Sequence, residues 1–307
     1  MRIFDAHCDV LYKMWSDPSI DFYSDNKLHT DYVSLKKAAS TNIQCFAIYI
    51  PPRIHESLRF QAALEMINIF YDKILTFPDI RLITTKNDAL NLQDNEVGAI
   101  LTLEGCEAIG SDLIRLKTLF RLGVRSVGLT WNEANAAADG ILEERGAGLT
   151  SFGKKVVKLN NQCHVWTDVS HLSEKAFWDV IELSDYPIAS HSNAKTITNH
   201  RRNLTDAQIL SLIKKDGVIG ITFVPEFLKE SGEATIGDIL KHIDHICSLG
   251  GYRHIGFGSD FDGIDTTPAQ LTNYSKYPLL INELLKRYPE HIVKGFLYNH
   301  FLNRIPF

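Results

Sequence analysis

The chain has 307 residues, with 32 Lys plus Arg against 37 Asp plus Glu and a formal net charge of −5. Hydrophobic residues supply 45% and charged residues 22%, ordinary proportions for a globular chain, which exclude wholesale disorder, collagen-like repeats and coiled coil. The mild acidity speaks against a nucleic-acid partner, and no apolar run is long enough to span a membrane.

The N-terminal stretch MRIFDAHCDV has no apolar signal core, so the cytoplasm is the expected location. Residues 2–7 form a first strand-like run. Further runs at 44–50, 97–103, 124–130, 165–169, 187–191, 218–223 and 254–259 bring the count to eight. They are rich in Val, Ile, Phe and Leu and mostly apolar on both faces, as buried parallel strands are. Helical spacing of apolar residues predicts helices between them. One spans 57–77 and ends before Pro78. Another spans 112–122 and ends at Gly123. Others follow at 152–160, 173–183, 205–215 and 235–249, the last stopping at Gly250-Gly251. Ser111 or Asp112, Ser173 and Thr205 are candidate N-caps. Two more helical stretches, 277–287 and 290–302, form a C-terminal extension.

Eight strand–helix alternations predict one α/β domain over residues 1–307, a (β/α)8 TIM barrel with a C-terminal helical extension. An open doubly wound sheet shares the local pattern. The count of eight favours the barrel, and the dinucleotide fingerprint and P-loop of the open sheet are missing. Five cysteines lie scattered without a CxxC pair, so reduced thiols are expected rather than a disulfide framework.

A barrel keeps its chemistry at the C-terminal ends of its strands. The first run ends Asp5-Ala6-His7-Cys8-Asp9, and alternation puts His7 and Asp9 on one face. The third run ends at Glu104, followed by Gly105. The fifth ends Asp168-Val169-Ser170-His171, the sixth Ser190-His191-Ser192, and the eighth Ser259-Asp260-Phe261-Asp262. Closure would gather His7, Asp9, Glu104, His171, His191 and Asp260 at one mouth. Three imidazoles and three carboxylates suit two divalent metals sharing a carboxylate, and zinc takes N and O donors readily. Any one of these residues alone would read as a capped turn, a core histidine or an ion pair. His242 and His245, on a helix beside Asp244, are expected at the surface.

At these residues the chain resembles the membrane (renal-type) dipeptidase family of zinc metallopeptidases, in a bacterial form without a signal sequence. The likeness covers nearly the whole chain. It rests on Asp5-Ala6-His7-Cys8-Asp9, Leu103-Glu104-Gly105, Gly148-Leu149-Thr150-Ser151-Phe152-Gly153, Asp168-Val169-Ser170-His171-Leu172-Ser173, Ser190-His191-Ser192-Asn193-Ala194, Arg201-Arg202-Asn203 and Gly256-Phe257-Gly258-Ser259-Asp260-Phe261-Asp262-Gly263, in that order. The resemblance implies two Zn2+ per chain on a TIM barrel, one held by His7 and Asp9, the other by His171 and His191, bridged by Glu104. It implies attack by a metal-bridging hydroxide on the peptide bond of a dipeptide, with Asp260 handling the proton. Arg202 falls where the family binds the substrate carboxylate, and the resemblance suggests a homodimer. Many members carry a His after the Leu-Thr that ends the run at 124–130. Here Leu129-Thr130 is followed by Trp131-Asn132, so the oxyanion helper is Asn132, the Trp131 indole or the metals alone. Two other readings stand beside this one: a related amidohydrolase acting on N-acyl amino acids or other small amides, and a barrel without catalysis used for binding.

Overall fold

The computed structural model describes residues 1–307. Its strands are β1 (Ile3–Asp5), β2 (Asn42–Tyr49), β3 (Ile80–Leu82), β4 (Val97–Glu104), β5 (Val124–Gly128), β6 (Trp166–Asp168), β7 (Pro187–Ile188), β8 (Ile219–Ile221) and β9 (Ile255–Phe257), all paired in parallel. Eight of them follow the order β7-β6-β5-β4-β2-β1-β9-β8. The two ends meet where Ala189 bridges Ile219. Ala189 N donates to Val218 O at 3.0 Å and Gly220 N to Ala189 O at 2.7 Å. The ring of eight is the expected TIM barrel rather than an open sheet.

The ninth strand, β3, was not anticipated. It pairs with Val97–Ala99 at the start of β4, on the flank that β5 occupies from Leu101 onward. The predicted helices form with small shifts of boundary. Asp112, Thr150, Ser173 and Thr205 each accept a backbone N–H at a helix start, which satisfies donors the helix leaves unpaired. The stretch predicted at 57–77 is an α-helix over Glu56–Ile69 that widens into a π-helical turn at Phe70–Ile74. No helix is long and apolar enough to cross a membrane.

The C-terminal extension closes the lower end of the barrel. Phe301 stacks on Phe4 at 5.2 Å and meets the Trp166 ring edge-on at 6.1 Å. Tyr298, Leu302 and Ile305 join Ile100, Ile188 and Val218 in the same buried cluster. Gly256 makes room for this plug, because a Cβ there would lie 2.3 Å from the Phe301 ring. Alternation then decides what comes above. Ile100 belongs to the lower cluster, so Thr102 and Glu104 follow on the same face of β4. Trp166 is followed in the same way by Asp168 on β6.

Candidate metal centre

The six strand-end residues singled out by sequence converge at the upper mouth. His7 and Asp9 follow β1, Glu104 ends β4, His171 and His191 lie past β6 and β7, and Asp260 lies past β9. His7 Nε2 is 3.4 Å from Asp9 Oδ2, 3.6 Å from Glu104 Oε2 and 3.7 Å from Asp260 Oδ1. His171 Nε2 is 3.0 Å from Glu104 Oε1 and 2.7 Å from His191 Nε2. Glu104 therefore offers one oxygen to each side of the cluster. All but Asp260 are buried, and Asp260 is half-buried.

Local backbone choices aim these groups inward. Asp9 occupies the N-cap position of the helix Val10–Ser16 but makes no side-chain cap bond, because its carboxylate is turned to His7. Gly263 leaves the cradle in which two acids meet, since a Cβ there would lie 2.3 Å from Asp9 Oδ2 and 2.5 Å from Asp260 Oδ1. His171 and Asp260 hold φ of 70° and 62°, a left-handed conformation that costs a non-glycine residue energy. Such strain persists only where surrounding contacts over-determine it.

The electrostatics call for positive charge. Burial pushes Glu104 well above the usual carboxylate range and Asp260 up to about 7. Burial opposes a charged His7, yet Glu104, Asp9 and Asp260 outweigh it and raise the imidazole to about 10. His171 and His191 go the other way, held well below 6.5 by burial and by the neighbouring cations. His7 Nε2 and Asp9 Oδ1 are buried with no hydrogen-bond partner. Two neutral imidazoles cannot face each other at 2.7 Å through lone pairs alone. Unpaired N and O donors, two Nε2 atoms turned toward one carboxylate oxygen and three acids beside a single guanidinium fit divalent metal ions.

Neighbouring groups orient the imidazoles. Asn132 Oδ1 accepts from His171 Nδ1 at 2.8 Å. His191 Nδ1 lies 2.7 Å from Ser190 Oγ, and Ser190 Oγ donates to Asp168 Oδ2. Trp131 lies 6.3 Å from the His171 ring and 5.2 Å from the Tyr49 ring, centroid to centroid. Arg202 is buried, donates from Nη2 to His191 O at 3.4 Å and lies over the Phe227 ring at 5.5 Å. Its Nε has no partner. Burial lowers its pKa to about 10, and it stays charged beside Asp260 and Glu104.

The family model of the membrane dipeptidases, peptidase family M19, matches residues 1–305. The chain belongs to this family. As a member it is a metallopeptidase, an enzyme that hydrolyses peptide bonds. A Schizosaccharomyces pombe protein named as an uncharacterized dipeptidase is 29% identical over 93% of this chain and 75% of its own length. Among solved structures, a metallo peptidase from Rhodobacter sphaeroides, liganded with a phosphinate mimic of the dipeptide L-Ala-D-Ala, superposes with a TM-score of 0.90. It is 28% identical and covers 99% of this chain and 98% of its own. The probable dipeptidase PvdM of Pseudomonas aeruginosa, 19% identical over 100% of this chain and 95% of its own, shares the fold with a TM-score of 0.90.

Around this dipeptidase-family centre, several residues escaped sequence reading. Tyr49 ends β2 directly opposite Glu104 in the β2–β4 register, and its position as the last residue of an apolar strand was the available signal. Phe227 sits in a short helix, Pro225–Leu228, within a stretch that carried no readable pattern. His242 is not at the surface. It is fully buried, where Nδ1 accepts from Ala194 N and Nε2 donates to Leu228 O. It ties the loop after His191 to the segment carrying Phe227. His245, as expected, pairs near the surface, with Asp206 at 2.7 Å.

Proposed function

We propose that the protein is a zinc-dependent dipeptidase. The observation that carries this reading is Glu104, which presents Oε2 to His7 and Oε1 to His171 from a buried position between them. On this reading His7 and Asp9 hold one zinc, His171 and His191 the other, and Glu104 both. When bound, the two ions polarise the scissile carbonyl and lower the pKa of a water, as paired metals in hydrolases do.

The chain's own residues supply the rest. Asp260, beside His7 and Asp9, takes a proton from the attacking water and delivers it to the leaving amine. Arg202 reads the free C-terminal carboxylate through its unpartnered Nε and its Nη atoms, a task that suits a planar guanidinium. Lys195 and Arg201 line the same cavity as His171 and Arg202 and add positive charge. A requirement for that carboxylate beside the scissile bond limits the substrate to one residue on the C-terminal side of the bond. Asn132 spends its carbonyl on His171, so only its amide N–H2 faces substrate, the polarity an oxyanion needs. The Trp131 indole N–H is the second candidate donor.

Purified protein assayed on a panel of L-L and L-D dipeptides, with and without zinc, tests the reading. About two zinc per chain and activity that falls on chelation and returns with zinc are expected. Full turnover in metal-free protein would refute it. Turnover of N-acyl amino acids without dipeptide cleavage would move the substrate and keep the centre.

A further inference from the structure

The two histidines on the Oε1 side of Glu104 are held by different devices. His171 meets a neutral amide, Asn132. His191 meets a hydroxyl backed by a buried carboxylate, Ser190 and then Asp168. We propose that Asp168 and Ser190 form a positioning relay that locks His191 with its proton on Nδ1 and its lone pair on Nε2, and so sets the affinity of one of the two metal positions. This rests on the metal-centre reading above.

The polarity follows from the partners of Asp168. Its Oδ1 accepts the backbone N–H of Ser170 at 3.0 Å and of Ser190 at 2.9 Å. Its Oδ2 is an acceptor as well, facing the Ser190 hydroxyl. The Ser190 O–H, facing Oδ2, must then donate to it. A hydroxyl has one proton, so toward His191 it can only accept. The His191 Nδ1 must therefore carry the hydrogen, which leaves Nε2 bare toward Glu104 and His171. A metal-ligating imidazole needs that tautomer, and outer partners that fix it are worth about 10–100-fold in metal affinity. Asp168 and Ser190 touch neither the reacting atoms nor the metal positions; Ser190 acts through His191, and Asp168 also anchors the backbone N–H of Ser170 just before His171, in the same half of the centre. Strand alternation provides the site, because Asp168 stands two residues above the Trp166 of the lower plug.

Asp168→Asn is the most telling variant. It keeps the shape but gives the relay a second donor. The amide N–H2 can point at Ser190, whose hydroxyl then donates to His191 Nδ1 and drives the proton to Nε2. Competition of the full-length protein against a chromophoric chelator reads zinc affinity directly. In Asp168→Asn and in Ser190→Ala, about 10–100-fold weaker binding of one zinc equivalent is expected, with the other unchanged. Ser190→Thr, which keeps the hydroxyl, should restore most of the affinity. Two equivalents bound at wild-type strength in both loss variants would overturn the relay. Wild-type protein that binds no zinc would instead overturn the metal-centre reading. Should the variants fail to fold, nitrogen-15 NMR of histidine-labelled wild-type protein decides. A proton on His191 Nδ1 supports the relay, and a proton on Nε2 refutes it.

Discussion

At the lower end of the barrel, Phe4, Trp166 and Phe301 fill the axis with rings 5.2 to 6.3 Å apart. At the upper end, further along the same strands, Glu104 and Asp168 stand with His7, His171 and His191. The lower cluster is mostly apolar; its Trp166 indole donates to Arg304 O at 3.0 Å, and the Tyr298 hydroxyl alone is buried there without a partner. The upper one buries three acids beside one guanidinium, leaves His7 Nε2 and Asp9 Oδ1 without partners and bends His171 and Asp260 into left-handed backbone. Each of those features costs stability in the absence of a ligand. The comparison shows a division of labour along one axis: the plug stabilises the fold, and the rim spends stability on a site preorganised for cations.

Opposite substitutions should separate the two ends. Glu104→Gln removes the shared carboxylate. Activity on dipeptides is expected to fall by at least about 10³-fold, equivalent to about 4 kcal/mol of transition-state stabilisation. The Tm of the metal-free protein should stay level or rise, because a buried acid held far above its ordinary pKa has gone. A collapse of metal-free Tm would show that the rim also carries the fold.

Phe301→Ala tests the other end and should cost about 3–5 kcal/mol of stability by opening a cavity against Phe4 and Trp166. Gly256→Ala attacks the same contact from the strand side, with about 1–3 kcal/mol lost to overpacking. In both, denaturation should shift while kcat per folded, metal-loaded molecule holds within about twofold of wild type. A large kcat loss without unfolding would mean that the plug communicates with the mouth.

Within the rim, Arg202→Met should raise KM for dipeptides by about 10–100-fold, the worth of hydrogen bonds to a charged group, and leave metal content unchanged. Substrates whose C-terminal carboxylate is amidated should be insensitive to the change. Equal losses on both substrate classes would assign Arg202 to holding the loop rather than reading the carboxylate.

How much of this the sequence discloses depends on range. A charged residue closing an apolar run is a local signal, so His7, Asp9, Glu104, His171, His191 and Asp260 were all legible, as was a ring of eight strands. The strand β3 was not, because three residues including the exposed Arg81 carry no period. The helix Val10–Ser16 was hidden by its own cap residue, since Asp9 serves the centre instead. His242 looked like a polar face residue. Its burial depends on Ala194 and Leu228, and nothing near it in sequence announces those partners. Hydrogen-bond relays such as Asp168–Ser190–His191 exist only after closure brings β6 beside β7.

The smallest expected effect concerns acid. His300 lies under the plug, where Nδ1 donates to Ile255 O at 2.7 Å, and burial lowers its pKa from 6.5 to about 4. Between those values the unfolded chain binds a proton that the folded chain refuses. This contribution to stability is therefore complete above about pH 6.5 and is lost as pH falls toward 4. His242, buried at the upper end and likewise lowered to about 4, adds a slope of the same sign. Tm measured across this window on metal-free protein should fall with acid in the wild type and less steeply in His300→Gln. Removing both histidines should flatten the curve further. If the His300→Gln curve runs parallel to wild type, the acid sensitivity of the fold lies with other buried histidines, His29 and His242 among them, and the plug is as indifferent to protons as its aromatic composition suggests.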